Sequence, residues 1–169
     1  MKQPSLKKSA RLISILLNIG CVFFGVLSAA LAVGVGILLC APLVAPDAFA
    51  SAWSTAVEAG QELTFGQAAV FFLCCLGELT CIFLALYHAR KIFRCIGQGA
   101  SPFTPETAVQ IRKIALFVLL FAIVSELSVF KMLSLPAFIL CAMFVLILFC
   151  ISLIFEYGCG LQQEVDETL

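Results

Sequence analysis

Uncharged and mostly apolar residues run without a break from Leu12 to Pro46, and three further stretches repeat that pattern over shorter lengths. A helix needs about 20 such residues to cross about 30 Å of hydrocarbon, so the pattern predicts four spans, at about 12–38, 67–87, 114–134 and 136–156. Glu78 alone interrupts the second. The third carries Glu126 in its outer half and Lys131 near its end, and Pro136 opens the fourth, which is free of charge until Glu156. The first run would be about 52 Å long as a continuous helix, too long for one bilayer and too short for two spans and a turn. Tilt, or an outer extension stopped by Pro42 and Pro46, takes up the surplus. Its length also exceeds the 7–15 apolar residues of a secretion signal, so an anchor is expected in spite of the small residues Ala48 and Ala50.

The connections carry their own signals. Asp47 is expected to cap a short helix from Ala48 to Ala59, closed by Gly60, with Phe49, Trp53 and Val57 on one face. That stripe suits either a helix lying in the membrane interface or one packed on the spans. Gly97 and Gly99 end an extension of span two. Thr104 as N-cap, Pro105 at the first helical position and Glu106 beside the positive helix end then predict that span three starts near Pro105 and enters the membrane without a break.

Composition agrees with the pattern: 63% of residues are hydrophobic and 12% charged, with a mean hydropathy of +1.14. This excludes a disordered tail protein and a water-soluble enzyme with a polar surface. The net charge is zero, which gives no reason to expect direct contact with nucleic acid, but the charges are not evenly placed. Lys2, Lys7, Lys8, Arg11, Arg90, Lys91, Arg94, Arg112 and Lys113 share one side of a four-span layout, and only Lys131 falls on the other. Short loops rich in Lys and Arg stay cytoplasmic. The fold expected is therefore an all-α membrane protein of four transmembrane helices in the inner membrane, both termini cytoplasmic, with a short outer interfacial helix between spans one and two. Residues 157–169 form an acidic cytoplasmic tail that faces the basic central loop and can clasp it.

Candidate chemistry is sparse. Glu78 and Glu126 lie at similar depth, where a carboxylate costs about 2.5–3.5 kcal/mol on insertion scales. They read either as a proton or cation site or as hydrogen-bonded glue between helices, with Asn18, Thr80, Ser125 or Ser128 as partners. Small residues at Cys21, Gly25 and Ala29, and at Ser28, Ala32 and Gly36, allow close helix approach within the chain or in a homo-oligomer through span one. The nine cysteines include no CxxC, most are expected to act as small apolar residues, and Cys95 and Cys159 are the two candidates for lipidation or redox sensing. His88 reads as an interfacial side chain. No phosphate-binding loop, nucleophile elbow or metalloprotease motif is present, so neither an enzyme nor a cofactor is expected.

Two stretches carry a resemblance. SPFTPETAVQIRKIA, at the start of span three, and EYGCGLQQEVDETL, at the C-terminus, resemble a bacterial family of four-span integral membrane proteins classed as a domain of unknown function. In that family a Gly-x-Pro-Phe-Thr-like turn leads into an Arg-x-Ile helix, and the chain closes on Tyr-Gly, Leu-Gln-x-Glu and Asp-x-Thr. The matching positions are Pro102, Phe103, Thr104, Arg112, Ile114, Tyr157, Gly158, Leu161, Gln162, Glu164, Asp166 and Thr168. This chain departs by placing Ala100 and Ser101 between Gly99 and Pro102. Members are often encoded beside a small helix-turn-helix regulator, so the resemblance implies a membrane partner or sensor for a cytoplasmic regulator. Arg90, Arg94, Phe103, Arg112, Leu161, Glu164 and Asp166 are the candidate partner-binding residues. The alternatives are a small proton- or cation-coupled transporter, or a transporter subunit, using Glu78 and Glu126, and an assembly factor for a larger membrane complex.

Overall fold

A computed structural model describes residues 3–58, 64–98, 103–128 and 135–167, without the side chains of 3–7, 56–58, 165 and 166. Lys131, Gly60, Gly99 and Pro102 lie outside the described residues. The helices are α1 (Gln3–Val44), α2 (Pro46–Glu58), α3 (Phe65–Gly97), α4 (Pro105–Leu127) and α5 (Leu135–Glu167). All but α2 are long and apolar enough to cross a membrane, which suggests a multi-pass membrane protein.

The local signals explain most of the boundaries. Thr104 caps α4 by accepting from the Thr107 backbone N–H at 3.2 Å, with Pro105 opening the helix and Glu106 in its first turn, as expected. Gly97 ends α3, also as expected. At the other end of α3, Thr64 and Gln67 form a reciprocal capping box, whose S/T-x-x-E/Q spacing was legible in the sequence.

Other boundaries differ from the expectation. Pro42 does not stop α1, which continues to Val44. A proline this close to the end removes one backbone bond and leaves little helix beyond to disrupt, and the Ala45 N–H still reaches the Ala41 carbonyl at 3.0 Å. Asp47 is not the cap of α2; the helix starts at Pro46, and Asp47 sits in its first turn, where a carboxylate opposes the helix dipole equally well. The aromatic stripe of α2 packs on the start of α3: the Phe49 and Trp53 rings stand 5.1 and 5.7 Å from the Phe65 ring. Helix α4 ends at Leu127, where Ser128 turns extended, and α5 runs on to Glu167, so the acidic segment is helical through that residue.

The spanning helices stand in a single row. Helix α3 lies between α1 and α4, and α4 lies between α3 and α5; among the described residues no Cα of α1 comes within 8 Å of α4 or α5, nor any of α3 within 8 Å of α5. Among the described residues the row is one helix thick and encloses no lumen.

The two edge helices share a packing pattern. On α1 the covered positions include Ala10, Ser14, Leu17, Cys21, Phe24, Ser28, Leu31, Val35 and Leu38, with Gly20 and Gly25 beside them; on α5 they include Phe138, Cys141, Val145, Leu148, Ser152, Phe155 and Cys159, with Gly158 beside them. Both alternate steps of three and four, the heptad period of left-handed helix pairs. The seams mix small side chains with Leu, Val and Phe, and the remaining faces, including Leu16, Val26, Leu140 and Leu146, are exposed apolar surface suited to lipid.

Gly20 and Gly25 let α3 approach: a Cβ at Gly25 would stand 3.1 Å from Phe83. Gly36 faces open space, with nothing within 4 Å of an added Cβ. Gly25→Leu should therefore cost about 2–3 kcal/mol by overpacking, measured as detergent melting, while Gly36→Leu should leave the melt unchanged. Cross-linking in membranes reads the second use of this helix: a dimer lost in Gly36→Leu alone would assign the outer row to a homo-oligomer.

Candidate functional site

Two polar clusters join neighbouring helices. The first lies within the membrane-spanning part of α3 and α4. Glu78 is buried, at 9% exposure, and accepts a hydrogen bond from the Ser125 hydroxyl at 2.9 Å; Ser125 itself is 1% exposed. Along α3, Glu78 stands about 18 Å from Arg90 at 1.5 Å per residue, a little past the middle of a 30 Å hydrocarbon layer. The bond brings Ser125, and with it Glu126, to the same level. Glu78 and Glu126 are not hydrogen-bonded to one another among the described residues. Helical rotation turns Glu126 about 100° away from Ser125, and among the described residues its buried Oε1 has no hydrogen-bond partner, nor has the buried Oγ of Ser128. Thr80, another expected partner, is turned to α1, where its hydroxyl meets Ser28 at 3.2 Å.

Nearer the basic end, the same seam holds a pair that sequence reasoning did not single out. His88 Nδ1 is hydrogen-bonded to the Oε1 of buried Gln110, and the imidazole stacks on Phe117 with ring centroids 5.6 Å apart. His88 is thus bound into the α3–α4 contact, with Tyr87 edge-on at 5.4 Å. The sequence held no distinct clue, since Gln110 shares its buried face with Thr107 as well as with Ala108, Ile111 and Ala115.

The second cluster joins α4 to α5. Arg112 forms an ion pair with Glu156, donates from Nε to the Ser152 hydroxyl at 3.3 Å, and places its guanidinium 5.9 Å from the centre of the Phe149 ring. Ser152 is fully buried and also donates to the Phe149 carbonyl at 2.8 Å. The ion pair is exposed, 38% and 58% for its two side chains, so on its own it is worth about 0–1 kcal/mol. Beyond it, Phe103 lies against Phe155, centroids 5.2 Å apart, and against Gly158, where a Cβ would come within 3.0 Å of the ring. A glycine at 158 is what admits the phenylalanine. Arg112 and Phe103 thus join the start of α4 to α5 at residues 152–158, ahead of the acidic residues of 157–169 that were expected to clasp the central loop.

The other candidate partner-binding residues are divided between faces. Arg90 is half-buried and Arg94 exposed on α3, whereas Leu161 and Glu164 are exposed on α5, with α4 standing between the two helices. The Asp166 side chain lies outside the described residues. Cys159 is buried against α4, which disfavours its modification by lipid, while Cys95 is exposed.

Comparison with protein-family models, curated proteins and solved structures returned no match. The site must therefore be read from its own chemistry.

Proposed function

We propose that this chain is an inner-membrane protein of bacterial type, both termini cytoplasmic, that holds or senses a cytoplasmic regulatory protein at the α4–α5 end. The observation that carries it is the continuation of α5 through Glu167, braced by Phe103 and Arg112. At 33 residues, α5 is about 50 Å long, some 20 Å more than the hydrocarbon requires. Its last turns present Tyr157, Leu161 and Glu164 exposed on a continuous helix. Such a mixed apolar and acidic face suits a protein partner, and the resemblance of this same segment to a family encoded beside helix-turn-helix regulators supports a DNA-binding one. DNA contact would belong to the partner.

Affinity purification of the tagged chain from gently solubilised membranes, with the native operon expressed, should recover one cytoplasmic protein. Leu161→Asp should abolish the recovery without changing membrane insertion. Recovery of none by the wild-type chain would end the proposal. Orientation is tested separately: a reporter fused after Glu58 should read outside, and one fused at Leu169 inside.

A transport reading is favoured by one observation, the buried Glu126 oxygen without a partner. Against it, a row one helix thick gives a solute no enclosed route, so a carrier would have to be completed by a second chain.

A further inference from the structure

We infer that the groove between the basic ends of α1 and α3 is a binding site for the headgroup of an anionic phospholipid. The groove has a volume of about 470 Å³ and is lined by Arg11 and Ser14 of α1 and by Phe93, Arg94, Gly97 and Gln98 at the end of α3. Its floor is the close approach of the two backbones: a Cβ on Gly97 would stand 3.6 Å from the Arg11 nitrogen. Both guanidiniums are exposed, and neither has an acidic side chain within 4 Å among the described residues. Two guanidiniums with no acidic side chain beside them, together with a hydroxyl and an amide that can each donate, make a surface matched to a phosphodiester. Arg94 also borders a second cleft of about 270 Å³ with Tyr87, Arg90 and Lys91, so a headgroup in the groove sits in the field of four cations.

The surroundings select a lipid over a free anion. Arg11 is the last charge before the apolar run of α1, which places the groove at headgroup depth. The next residues outward on α1, Leu12, Ile15, Leu16 and Ile19, are 56–61% exposed, an open apolar track along which acyl chains can lie. Basic pockets at the ends of spanning helices recognise acidic headgroups in this way. The site stands on α1 and α3 and does not depend on a partner at α5.

Native mass spectrometry of the full chain in detergent tests the inference, with phosphatidylglycerol and phosphatidylcholine of identical acyl chains as probes. Phosphatidylglycerol should bind at least about tenfold more tightly than phosphatidylcholine, and the preference should fall as salt is raised. Arg11→Gln with Arg94→Gln should remove the preference, Lys113→Gln should keep it, and excess inorganic phosphate should not displace the lipid. Equal binding of the two lipids by wild-type protein would overturn the inference. So would an unchanged preference in the double variant, or displacement by phosphate, which would make the groove a site for a free anion. The wild-type arms decide the matter even if the double variant does not fold, and Arg11→Lys with Arg94→Lys should retain most of the preference.

Discussion

Ser152→Leu is expected to part α4 from α5 and to lower stability by about 3 kcal/mol, the upper part of the range for overpacking a filled seam. Ser152 has no exposed surface, and its hydroxyl both donates to the Phe149 carbonyl and accepts from Arg112. A leucine there would have to displace the α4 backbone or abandon its rotamer. It would also remove the hydroxyl that helps to aim the guanidinium at Glu156. Ser152→Ala keeps the close approach and forfeits the hydrogen bonds, so it should cost about 1 kcal/mol. Denaturation in mixed micelles followed by circular dichroism measures both. Equal losses for leucine and alanine would mean that α4 and α5 are not in close contact at this level. If the α5 end is the docking face, Ser152→Leu should also weaken partner recovery, because the brace from Phe103 and Arg112 fails with the seam.

The second large effect is expected at Glu78, and its three variants separate the two readings of that residue. Glu78→Ala removes the acceptor for Ser125 and leaves a cavity at the α3–α4 seam, a loss of about 2–3 kcal/mol. Glu78→Gln keeps an acceptor oxygen toward the serine hydroxyl, so its cost should stay below about 0.5 kcal/mol, less than the usual worth of a whole interhelical hydrogen bond in a membrane protein. Glu78→Asp shortens the reach and should fall between. If glutamine proves as damaging as alanine, the carboxylate itself is required, and the residue is more than a hydrogen-bonded tie. The flux measurement is direct: liposomes carrying wild-type, Glu78→Gln or Glu126→Gln protein are placed across a pH gradient with a panel of monovalent cations. Identical flux from all three would dispose of the transport reading.

These residues also show where sequence reasoning reached its limit. Asn18, Thr80, Ser125 and Ser128 were all available to the intramembrane glutamates. Only the packing chooses: Thr80 is taken by α1, Ser125 by Glu78, and Ser128 is left without a partner. The pairing of His88 with Gln110 was missed for a related reason. Both positions lie where spans and charged loops meet, and a polar side chain there can face water equally well. Arg112 reaches Glu156, one residue ahead of the expected tail, and Gly158 leaves room for Phe103.

By itself the sequence determined the number of helices long and apolar enough to span, the segregation of basic residues to one side of that layout, and the start of α4. Each of these is a local or additive property: the transfer of successive apolar residues into hydrocarbon sums along the chain, and a cap such as Thr104-Pro105-Glu106 needs only its own next turn. The tertiary structure alone decided that the helices stand in an open row, that α1 and α5 bury heptad seams, and that Glu78 binds Ser125 instead of Glu126. Nearly every position within a span is apolar, so hydrophobic periodicity offers no contrast by which to tell a buried face from a lipid-facing one. Lipid is as apolar as the helices, and what selects neighbours is the fit of small side chains and the satisfaction of the few polar ones. Those are contacts between residues far apart in the chain, and they exist only once the helices are side by side.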